Sequence, residues 1–256
     1  MQIERIKPPS LAAFRRDYQE PRRPVILTGL MEDWPARRWT LDHLRKRYGD
    51  RQVTAVRTRE GQVVHGPKEG IPYDPIRFGD FIDELETSPA PGHYVVFPVS
   101  EVLPELIDEF VLPEYCRNAP WFRARFWLSA ANTRSPLHRD PPDNLFAQIL
   151  GKKRFVLFAP NETKNLYPYR FWSGLPDFAR FDAEERDYTR FPKARNAERI
   201  ECEVGAGEIL YLPRYWWHQV SSLERSASVN LWWSEGVQAA IALAGQAFVK
   251  LRRLSL

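Results

Sequence analysis

The fold is decided by residues 125–233, which contain the runs RFWLSA (125–130), NLFAQIL (144–150), KRFVLFA (153–159), RIECEV (199–204), EILYLP (208–213), WWHQVSS (216–222) and SASVNLWW (226–233). Each run is short and rich in aromatic or β-branched residues, and proline, glycine and asparagine lie between them. Many short strands at this spacing predict an antiparallel sandwich or barrel, and the jelly roll is the commonest way to arrange them. We therefore expect a mainly β fold with flanking helices, built around a jelly-roll barrel.

Outside this stretch, no repeat, low-complexity tract or Gly/Ser linker interrupts the chain, so we expect one domain over residues 1–256. Its predicted parts are an N-terminal α/β elaboration (1–120), the jelly-roll core (121–235) and a C-terminal helix (236–256). The pattern further predicts strands at 24–30 and 94–97, and helices at 41–48, 79–87 and 103–110. Residues 161–197 form a polar insertion, dotted with aromatic residues, whose structure the pattern does not determine.

The C-terminal helix carries an apolar stripe, because its apolar residues recur at intervals of four, three, four and three residues. The stripe consists of Val237, Ile241, Ala244, Phe248 and Leu251. We expect it to pack on the core, with a homodimer contact as the alternative.

Composition excludes several classes of protein. Of the 256 residues, 43% are hydrophobic and 27% charged, which is an ordinary globular composition and neither a disordered nor a membrane one. Two cysteines exclude a disulfide framework and any multi-cysteine zinc site, so a metal would be held by histidine and carboxylate. The N-terminal MQIERIKPPS is charged where a secretion signal is apolar, and we expect a cytoplasmic protein that contacts no membrane.

Within the strand-rich half, Ser135-Pro-Leu-His138-Arg-Asp140 contains half of a metal site. Side chains two residues apart in an extended segment point to the same side, so His138 and Asp140 can reach one ion. A third ligand is available in a later strand-like run, where His218 lies among aromatic residues. Two histidines and one carboxylate leave positions open on an iron, as in non-haem Fe(II) oxygenases. Taken alone, His218 fits a buried histidine of the core better than a metal ligand.

The neighbouring strands mix polar and apolar side chains on one face. Asn144, Phe146 and Gln148 alternate along one predicted strand, and Lys153 and Phe155 along the next. A lysine inside a barrel needs an anionic partner, since an unpaired buried ammonium is very costly. A dicarboxylate cosubstrate would supply that anion. Alternation alone leaves open whether Lys153 or its neighbour Lys152 points inward.

These residues belong to long ordered motifs, SPLHRDPPDNLFAQILGKKRFVLFAP (135–160) and GAGEILYLPRYWWHQVSSLERSASVNLWW (205–233). With these motifs, the chain resembles the JmjC-type, cupin-like Fe(II) and 2-oxoglutarate oxygenases. It is most similar to the small hydroxylase group that includes the asparaginyl hydroxylase of hypoxia-inducible factor and the tRNA wybutosine hydroxylase. The N-terminal RRPVILTGLMEDWPARRWTLDHLRKRYGD (22–50) also resembles the opening of that family, so the similarity runs from about residue 24 to residue 233.

The resemblance implies a role for each matching residue. His138, Asp140 and His218 would be the iron ligands. Lys153 would pair with the distal carboxylate of 2-oxoglutarate, helped by the hydroxyl of Ser135. A lysine and a hydroxyl at one carboxylate make a consistent pair, because the keto acid then chelates the metal through its other end.

Three more positions match residues around the cosubstrate. Asn144 and Asn230 would lie beside its metal-chelating end. Tyr94, in the strand GHYVVFP, matches a tyrosine that reaches the distal carboxylate in the family. The family thus implies Fe(II) as cofactor and 2-oxoglutarate as cosubstrate.

The resulting hypothesis is a 2-oxoglutarate-dependent hydroxylase. A protein side chain is the expected substrate, and a modified tRNA base or a small metabolite is the alternative. A second hypothesis from another class is a non-catalytic metal-binding cupin module. Specificity is expected in the loops around the mouth of the barrel, at residues 57–80 and 161–197.

Overall fold

The N-terminal half of the chain forms short strands and helices that extend and cover the core. The computed structural model describes residues 2–66, 70–88 and 91–244. The elements before residue 120 are β1 (Arg5–Ile6), α1 (Leu11–Phe14), a π-helical turn (Arg15–Gln19), β2 (Val25–Thr28), a 3-10 turn (Pro35–Arg38), α2 (Leu41–Tyr48), β3 (Gln52–Arg59), β4 (Gln62–Val63), β5 (Tyr73–Arg77), α3 (Phe78–Thr87), β6 (His93–Pro98), α4 (Val99–Val102), a 3-10 helix (Pro104–Glu109) and α5 (Glu114–Arg117).

The C-terminal half contains the strands of the core. They are β7 (Trp121–Ser129), β8 (His138–Arg139), β9 (Asp143–Leu150), β10 (Lys153–Phe158), β11 (Ile200–Val204), β12 (Glu208–Leu212), β13 (Trp217–Ser222) and β14 (Ser226–Ser234). Three 3-10 turns lie between β10 and β11, at Pro160–Asn165, Phe171–Ser173 and Pro192–Asn196. A helix, α6, begins at residue 236 and continues to residue 244, the last one described.

These eight strands form two facing sheets with jelly-roll connectivity. The order β12-β9-β14-β7 lies within a ten-stranded sheet, and β11-β10-β13-β8 forms a four-stranded sheet. Strands that are consecutive in sequence mostly alternate between the two sheets, and the pairs among these eight strands are antiparallel. The predicted jelly roll and its flanking helices are confirmed, although the two sheets do not close into one hydrogen-bonded barrel in the described part of the chain.

The N-terminal strands belong to the large sheet. β2 pairs with β12 at one side, and β6 pairs with β7 at the other, followed by β3. The pattern did not predict β3 and β5, whereas the strands predicted at 24–30 and 94–97 are found as β2 and β6. The division into an elaboration, a core and a C-terminal helix remains a prediction.

The turn after β9 determines which face of β10 points inward. Gly151 has φ of 72°, and a Cβ there would lie 2.2 Å from the carbonyl oxygen of Arg225. Any other residue would therefore collide with the backbone of the turn between β13 and β14. This turn places Lys153 opposite Ser222 and Val204, with its side chain buried between the sheets. Lys152 instead is exposed and pairs with Glu203 at 3.5 Å.

Most apolar burial lies outside the space between the two sheets. The outer face of the large sheet packs against α1, α2 and α3 through residues such as Phe126, Leu145 and Trp233, all fully buried. α2 begins at Thr40, whose hydroxyl accepts a hydrogen bond from the backbone N–H of His43 at 3.0 Å, as an N-cap does. This layer supplies most of the hydrophobic stabilisation and leaves the inner faces free for other residues.

The insertion at 161–197 covers the outer face of the small sheet. Leu166, Phe181 and Phe191 pack there with Phe158 and Trp217 of β10 and β13. The insertion is therefore mainly a structural layer, and it reaches the inner cavity through Phe178.

The helix predicted at 103–110 is found as a 3-10 helix over Pro104–Glu109, and one other local prediction is wrong. The apolar stripe of the C-terminal helix was expected to pack on the core, but Val237 and Ile241 are exposed because α6 turns that side outward. Phe248 and Leu251 lie outside the described residues, so the homodimer remains a prediction. None of the helices in the described ranges is long and apolar enough to span a membrane.

Candidate active site

Two strands of the small sheet bring three ligand side chains together. β8 pairs with β13 so that His138 lies directly opposite His218, and Asp140 follows β8 two residues after His138. The imidazole rings of His138 and His218 are 4.1 Å apart between centroids, and His218 Nε2 lies 3.8 Å from Asp140 Oδ2. One ligand atom from each residue lies within 4.8 Å of the other two. Modest side-chain rotations from this spacing bring all three to one ion.

The hydrogen bonds of both histidines leave the same nitrogen free. Nδ1 of His138 donates to the carbonyl oxygen of Pro136 at 2.9 Å, and Nδ1 of His218 donates to that of Trp216 at 3.0 Å. A carbonyl oxygen can only accept, so the proton lies on Nδ1 and Nε2 presents a lone pair. Backbone carbonyls orient metal-binding histidines in this way in many proteins. The donor set fits an iron with three positions left open.

Burial disfavours charge at two of these ligands. It raises the pKa of the Asp140 carboxyl, and together with the nearby His138 it lowers the pKa of His218 well below its ordinary value. A divalent cation would suit this donor set, because its charge stabilises a carboxylate and because it binds the unprotonated nitrogen of an imidazole.

The insertion holds one of the ligands in place. The ring of Phe178 stacks on that of His138 with centroids 5.4 Å apart and planes 16° from parallel. Backbone hydrogen bonds from Ala179 to Leu137 and from Arg139 to Asp177 join this segment to β8 as an additional short strand. The first ligand strand is thus supported on both sides, by β13 and by the insertion.

Lys153 lies inside the same cavity without a counter-ion. Its side chain is 1% exposed, and its Nζ donates to the hydroxyls of Tyr94 at 3.1 Å and Ser228 at 3.3 Å. In the described part of the chain, no carboxylate pairs with it. Burial lowers the pKa of Lys153 from 10.5 to about 7. A buried lysine between two hydroxyls fits the carboxylate of an anionic ligand, which would supply the missing charge.

Ser135 and two asparagines complete the cavity wall. The hydroxyl oxygen of Ser135 accepts a hydrogen bond from the backbone N–H of Val220 at 3.0 Å, so its own proton remains available to a ligand. Asn144 and Asn230 are buried, and the side-chain oxygen of each is buried without a hydrogen-bond partner. Unpaired buried polar atoms are costly, so the cavity is incomplete without a polar occupant.

All eight sequence-predicted site residues line one cavity of about 160 Å³ between the two sheets. Lys153 and Tyr94 are buried in it, whereas five other lining residues are at least partly exposed. These residues are Ile71, Tyr73, Arg125, Trp127 and Trp232. The cavity therefore contains Lys153 and the three candidate ligands and opens to solvent at a mouth formed by its partly exposed residues.

The sequence reasoning missed four of these lining or neighbouring residues. Ser228, Arg125 and Trp127 lie on the same sheet face as Asn230, and extending the alternation along β7 and β14 would have identified them. Phe178 gave no signal, because the insertion has no regular pattern. Of the two loop regions expected to line the mouth, 57–80 contributes Ile71 and Tyr73, and 161–197 contributes Phe178.

The comparisons with known proteins agree on one family. A model of the cupin-like domain matches residues 11–239. The chain is 35% identical to the lysine-specific demethylase JMJ30 of Arabidopsis thaliana over 88% of this chain and 53% of that protein, and 33% identical to lysine-specific demethylase 8 of Danio rerio over 91% and 58%. It is 29% identical to the human bifunctional peptidase and (3S)-lysyl hydroxylase JMJD7 over 89% and 82%. The chain spans a little more than half the length of the first two relatives.

Proposed function

We propose that this chain, which belongs to the cupin-like domain family with its JmjC members, is an Fe(II)- and 2-oxoglutarate-dependent oxygenase that hydroxylates a protein side chain. One observation supports the proposal most strongly. A single cavity joins the His138, Asp140 and His218 donor set to Lys153, a buried cation without a counter-ion. A keto dicarboxylate fits both ends, since one end chelates a metal and the other pairs with an ammonium group.

The metal would be held by Nε2 of both histidines and by the carboxylate of Asp140. When bound, Fe(II) and 2-oxoglutarate would supply the oxidising chemistry together with O2, of which one atom enters the succinate formed as carbon dioxide leaves and the other enters a C–H bond of the substrate. The protein contributes the fixed tautomers described above and the backing of His138 by Phe178. These contacts hold the donors in place before the metal arrives, so little ordering is needed on binding.

The cosubstrate would be positioned by the inner end of the cavity. Lys153 donates to its distal carboxylate, with the hydroxyls of Tyr94, Ser135 and Ser228 next to the ammonium group or facing the same cavity. Because the site is dry, a charge-assisted hydrogen bond there is stronger than in water. A cosubstrate carboxylate could replace these hydroxyls as the acceptor for Lys153 at little cost, since a hydroxyl can rotate and donate to the carboxylate instead.

Aromatic walls would keep water away from the reaction. Phe146 and Phe155 pack edge to face at 4.8 Å between Lys153 and the metal end, and Phe178 covers His138. Exclusion of water protects an oxidising centre from side reactions and strengthens the electrostatic interactions of the cosubstrate.

Hydroxylation is preferred to demethylation for a reason of charge. Arg125 lines the mouth of the cavity, where a substrate must enter. A methylated lysine carries a positive charge and would be repelled there. A non-catalytic module is disfavoured as well, because a pure scaffold gains nothing from a buried unpaired lysine.

The proposal is tested by succinate formation from 2-oxoglutarate with Fe(II) and ascorbate, which measures turnover with or without a primary substrate. The wild-type protein should form succinate, and complete absence of 2-oxoglutarate binding and turnover would contradict the proposal.

Binding of Mn(II), followed by electron paramagnetic resonance, tests the metal ligands without relying on activity. His138→Ala should weaken Mn(II) binding by at least about 100-fold, since even the loss of an outer-shell partner costs 10- to 100-fold. His43→Ala is the matched control, because His43 lies on α2, on the far side of the large sheet. Equal Mn(II) affinity in the two variants would show that His138 is not a ligand.

A further inference from the structure

Arg125 occupies an unusual position for an arginine. It lies on β7 opposite Asn230 of β14, so the two side chains share the face of the large sheet that lines the cavity. Both residues line the cavity together with His138 and Asp140. The inner face of the large sheet therefore presents a guanidinium group next to the candidate metal ligands.

The guanidinium of Arg125 has no anionic partner among the residues that the structure describes. Its Cζ lies 5.2 Å from the ring centroid of Trp232, which is a cation–π contact. Its Nε is buried, and no acceptor for it lies in the part of the chain that the structure describes. Asp140 is close enough to interact electrostatically, but no ion pair joins the two side chains, and Asp140 is the proposed metal ligand. The charge of Arg125 is thus uncompensated once a metal is bound.

Depth in the cavity separates Arg125 from Lys153. Lys153 is fully buried, whereas Arg125 and the Trp232 ring beside it are partly exposed. The cosubstrate has a buried cation at one end and the metal ligands with Asn144 and Asn230 at the other. Arg125 is therefore left facing the space that a second molecule must cross to reach the metal.

We propose that Arg125 selects the primary substrate by binding a carboxylate of an acidic protein segment, next to the carbon that is oxidised. The inference rests on the proposed function and specifies its substrate class. A guanidinium in contact with an indole ring can donate two parallel hydrogen bonds to a carboxylate, which fixes orientation as well as charge. An acidic side chain of the substrate would compensate the positive charge of the Arg125 guanidinium.

The surface around the mouth favours a protein over a nucleic acid. Arg57, Arg134 and Arg139 are each paired with a carboxylate, to Asp74 at 2.5 Å, Glu185 at 2.9 Å and Asp177 at 2.8 Å. Nucleic-acid sites have a stripe of basic side chains available to phosphates. Here the flanking arginines are already neutralised, and one guanidinium inside a narrow cavity matches a single acidic side chain.

The test compares the wild-type protein with Arg125→Gln and Arg125→Lys. Arg123→Gln is the matched control, because Arg123 lies two residues away on the same face of β7 but is paired with Glu101 at 3.9 Å and does not line the cavity. Each protein, loaded with Mn(II) and N-oxalylglycine, is mixed with a pool of short random-sequence peptides, and the retained peptides are quantified by mass spectrometry. Thermal unfolding and Mn(II) affinity verify that every variant is folded and loaded.

The wild type and Arg123→Gln should enrich peptides containing Asp or Glu over the matching Asn or Gln peptides by about tenfold, the value of one charge-assisted pair. Arg125→Gln should lose this preference, and Arg125→Lys should keep part of it. Selection without regard to charge by the wild type would overturn the inference, as would binding of a short single-stranded RNA in its place.

A second arm measures the affinity of each Mn(II)-loaded protein for 2-oxoglutarate. Arg125→Gln should change it by less than about threefold, whereas a loss of about tenfold with the peptide preference intact would assign Arg125 to the cosubstrate and overturn the inference. If the wild type binds no 2-oxoglutarate, the proposed function itself fails. If 2-oxoglutarate binds and peptide selection ignores charge, only the role of Arg125 is wrong.

Discussion

On the outer face of the large sheet, Phe126 and Leu145 pack into a continuous apolar layer under the N-terminal helices, whereas the adjacent residues Arg125 and Asn144 point into the cavity on the inner face. The two faces belong to the same strands. The outer face is mainly apolar, although the indole nitrogen of Trp233 is also buried there without a hydrogen-bond partner among the described residues. On the inner face, Nε of Arg125 and the side-chain oxygen of Asn144 have no such partner in the same part of the chain. The outer face stabilises the fold, and the inner face keeps groups whose partners must come from a ligand.

This difference explains how one sheet serves both stability and binding. Burial of apolar surface on the outer face is favourable whatever else is bound. Lys153 and the two asparagines on the inner face reduce stability in the ligand-free state, and a ligand that satisfies them recovers that free energy as affinity. Three experiments test this division, and they are given in order of decreasing expected effect.

The strongest test removes a side chain from the outer face. Phe126→Ala should lower the free energy of unfolding by about 3–5 kcal/mol, because it leaves a cavity in a fully buried cluster. Trp127→Ala is the matched variant, since Trp127 is the next residue and points to the partly exposed mouth. It should cost less stability than Phe126→Ala. Urea unfolding followed by circular dichroism measures both, and equal losses would contradict the proposed division between the faces.

A smaller change is expected at the inner end of the cavity. Lys153→Met should weaken 2-oxoglutarate binding to the Mn(II)-loaded protein by about 2–3 kcal/mol, the value of a charge-assisted hydrogen bond. The same substitution should raise the stability of the ligand-free protein, since it removes a group whose charged form is disfavoured by burial.

Lys152→Met is the control for this substitution, because Lys152 is adjacent in sequence but exposed and paired with Glu203. It should leave 2-oxoglutarate affinity unchanged. Isothermal titration calorimetry gives the affinities and urea unfolding the stabilities. A Lys153→Met variant with wild-type affinity would mean that another cation binds the distal carboxylate.

The smallest of the three effects, when it is taken per pH unit, is a pH dependence. Because burial lowers the pKa of Lys153 to about 7, this lysine is neutral in the folded protein and charged in the unfolded chain between pH 7 and the ordinary lysine pKa of 10.5. The unfolded state then binds more protons, so this group makes the free energy of unfolding rise with pH, by up to about 1.4 kcal/mol per unit. Burial raises the pKa of Tyr94, the hydroxyl beside it, so Tyr94 stays protonated in this window.

Cosubstrate affinity should change in the opposite direction. Binding of a dicarboxylate requires the charged lysine, so affinity should fall by up to about tenfold per pH unit above pH 7. Calorimetry in buffers of different ionisation enthalpy should detect proton uptake on binding near pH 8. The uptake should persist in Lys152→Met and disappear in Lys153→Met, and its persistence in Lys153→Met would assign it to another group.

Much of the fold follows from local sequence. The alternation of apolar and polar residues predicts the strands of the core, since a strand with one face in each environment must have a period of two. The spacing of His138 and Asp140 places both on one side of an extended segment for the same reason. The helix at 41–48 is predicted by its Thr40 cap and by Gly49, and the structure contains it.

Other features depend on contacts between residues that are far apart in the chain. Alternation could not decide between Lys152 and Lys153, and the collision that a Cβ at Gly151 would make with Arg225 shows why the turn has one geometry. The exposure of Val237 and Ile241 was not predictable either. An apolar stripe on a helix can pack on the core, pack on another chain or face solvent, and the stripe itself does not say which. Phe178 reaches His138 from an insertion without regular periodicity.

The residue types and their order predict a jelly roll with a histidine–carboxylate donor set and a lysine nearby, and these features indicate the class of chemistry that we propose. Which side chains meet in the cavity, and which of them lack partners in the described part of the chain, depends on how the strands pair. Strand periodicity is a local property of a few residues and carries no information about that pairing. Convergence of His218 with His138, or of Lys153 with Tyr94 and Ser228, depends on the pairing of strands far apart in the chain.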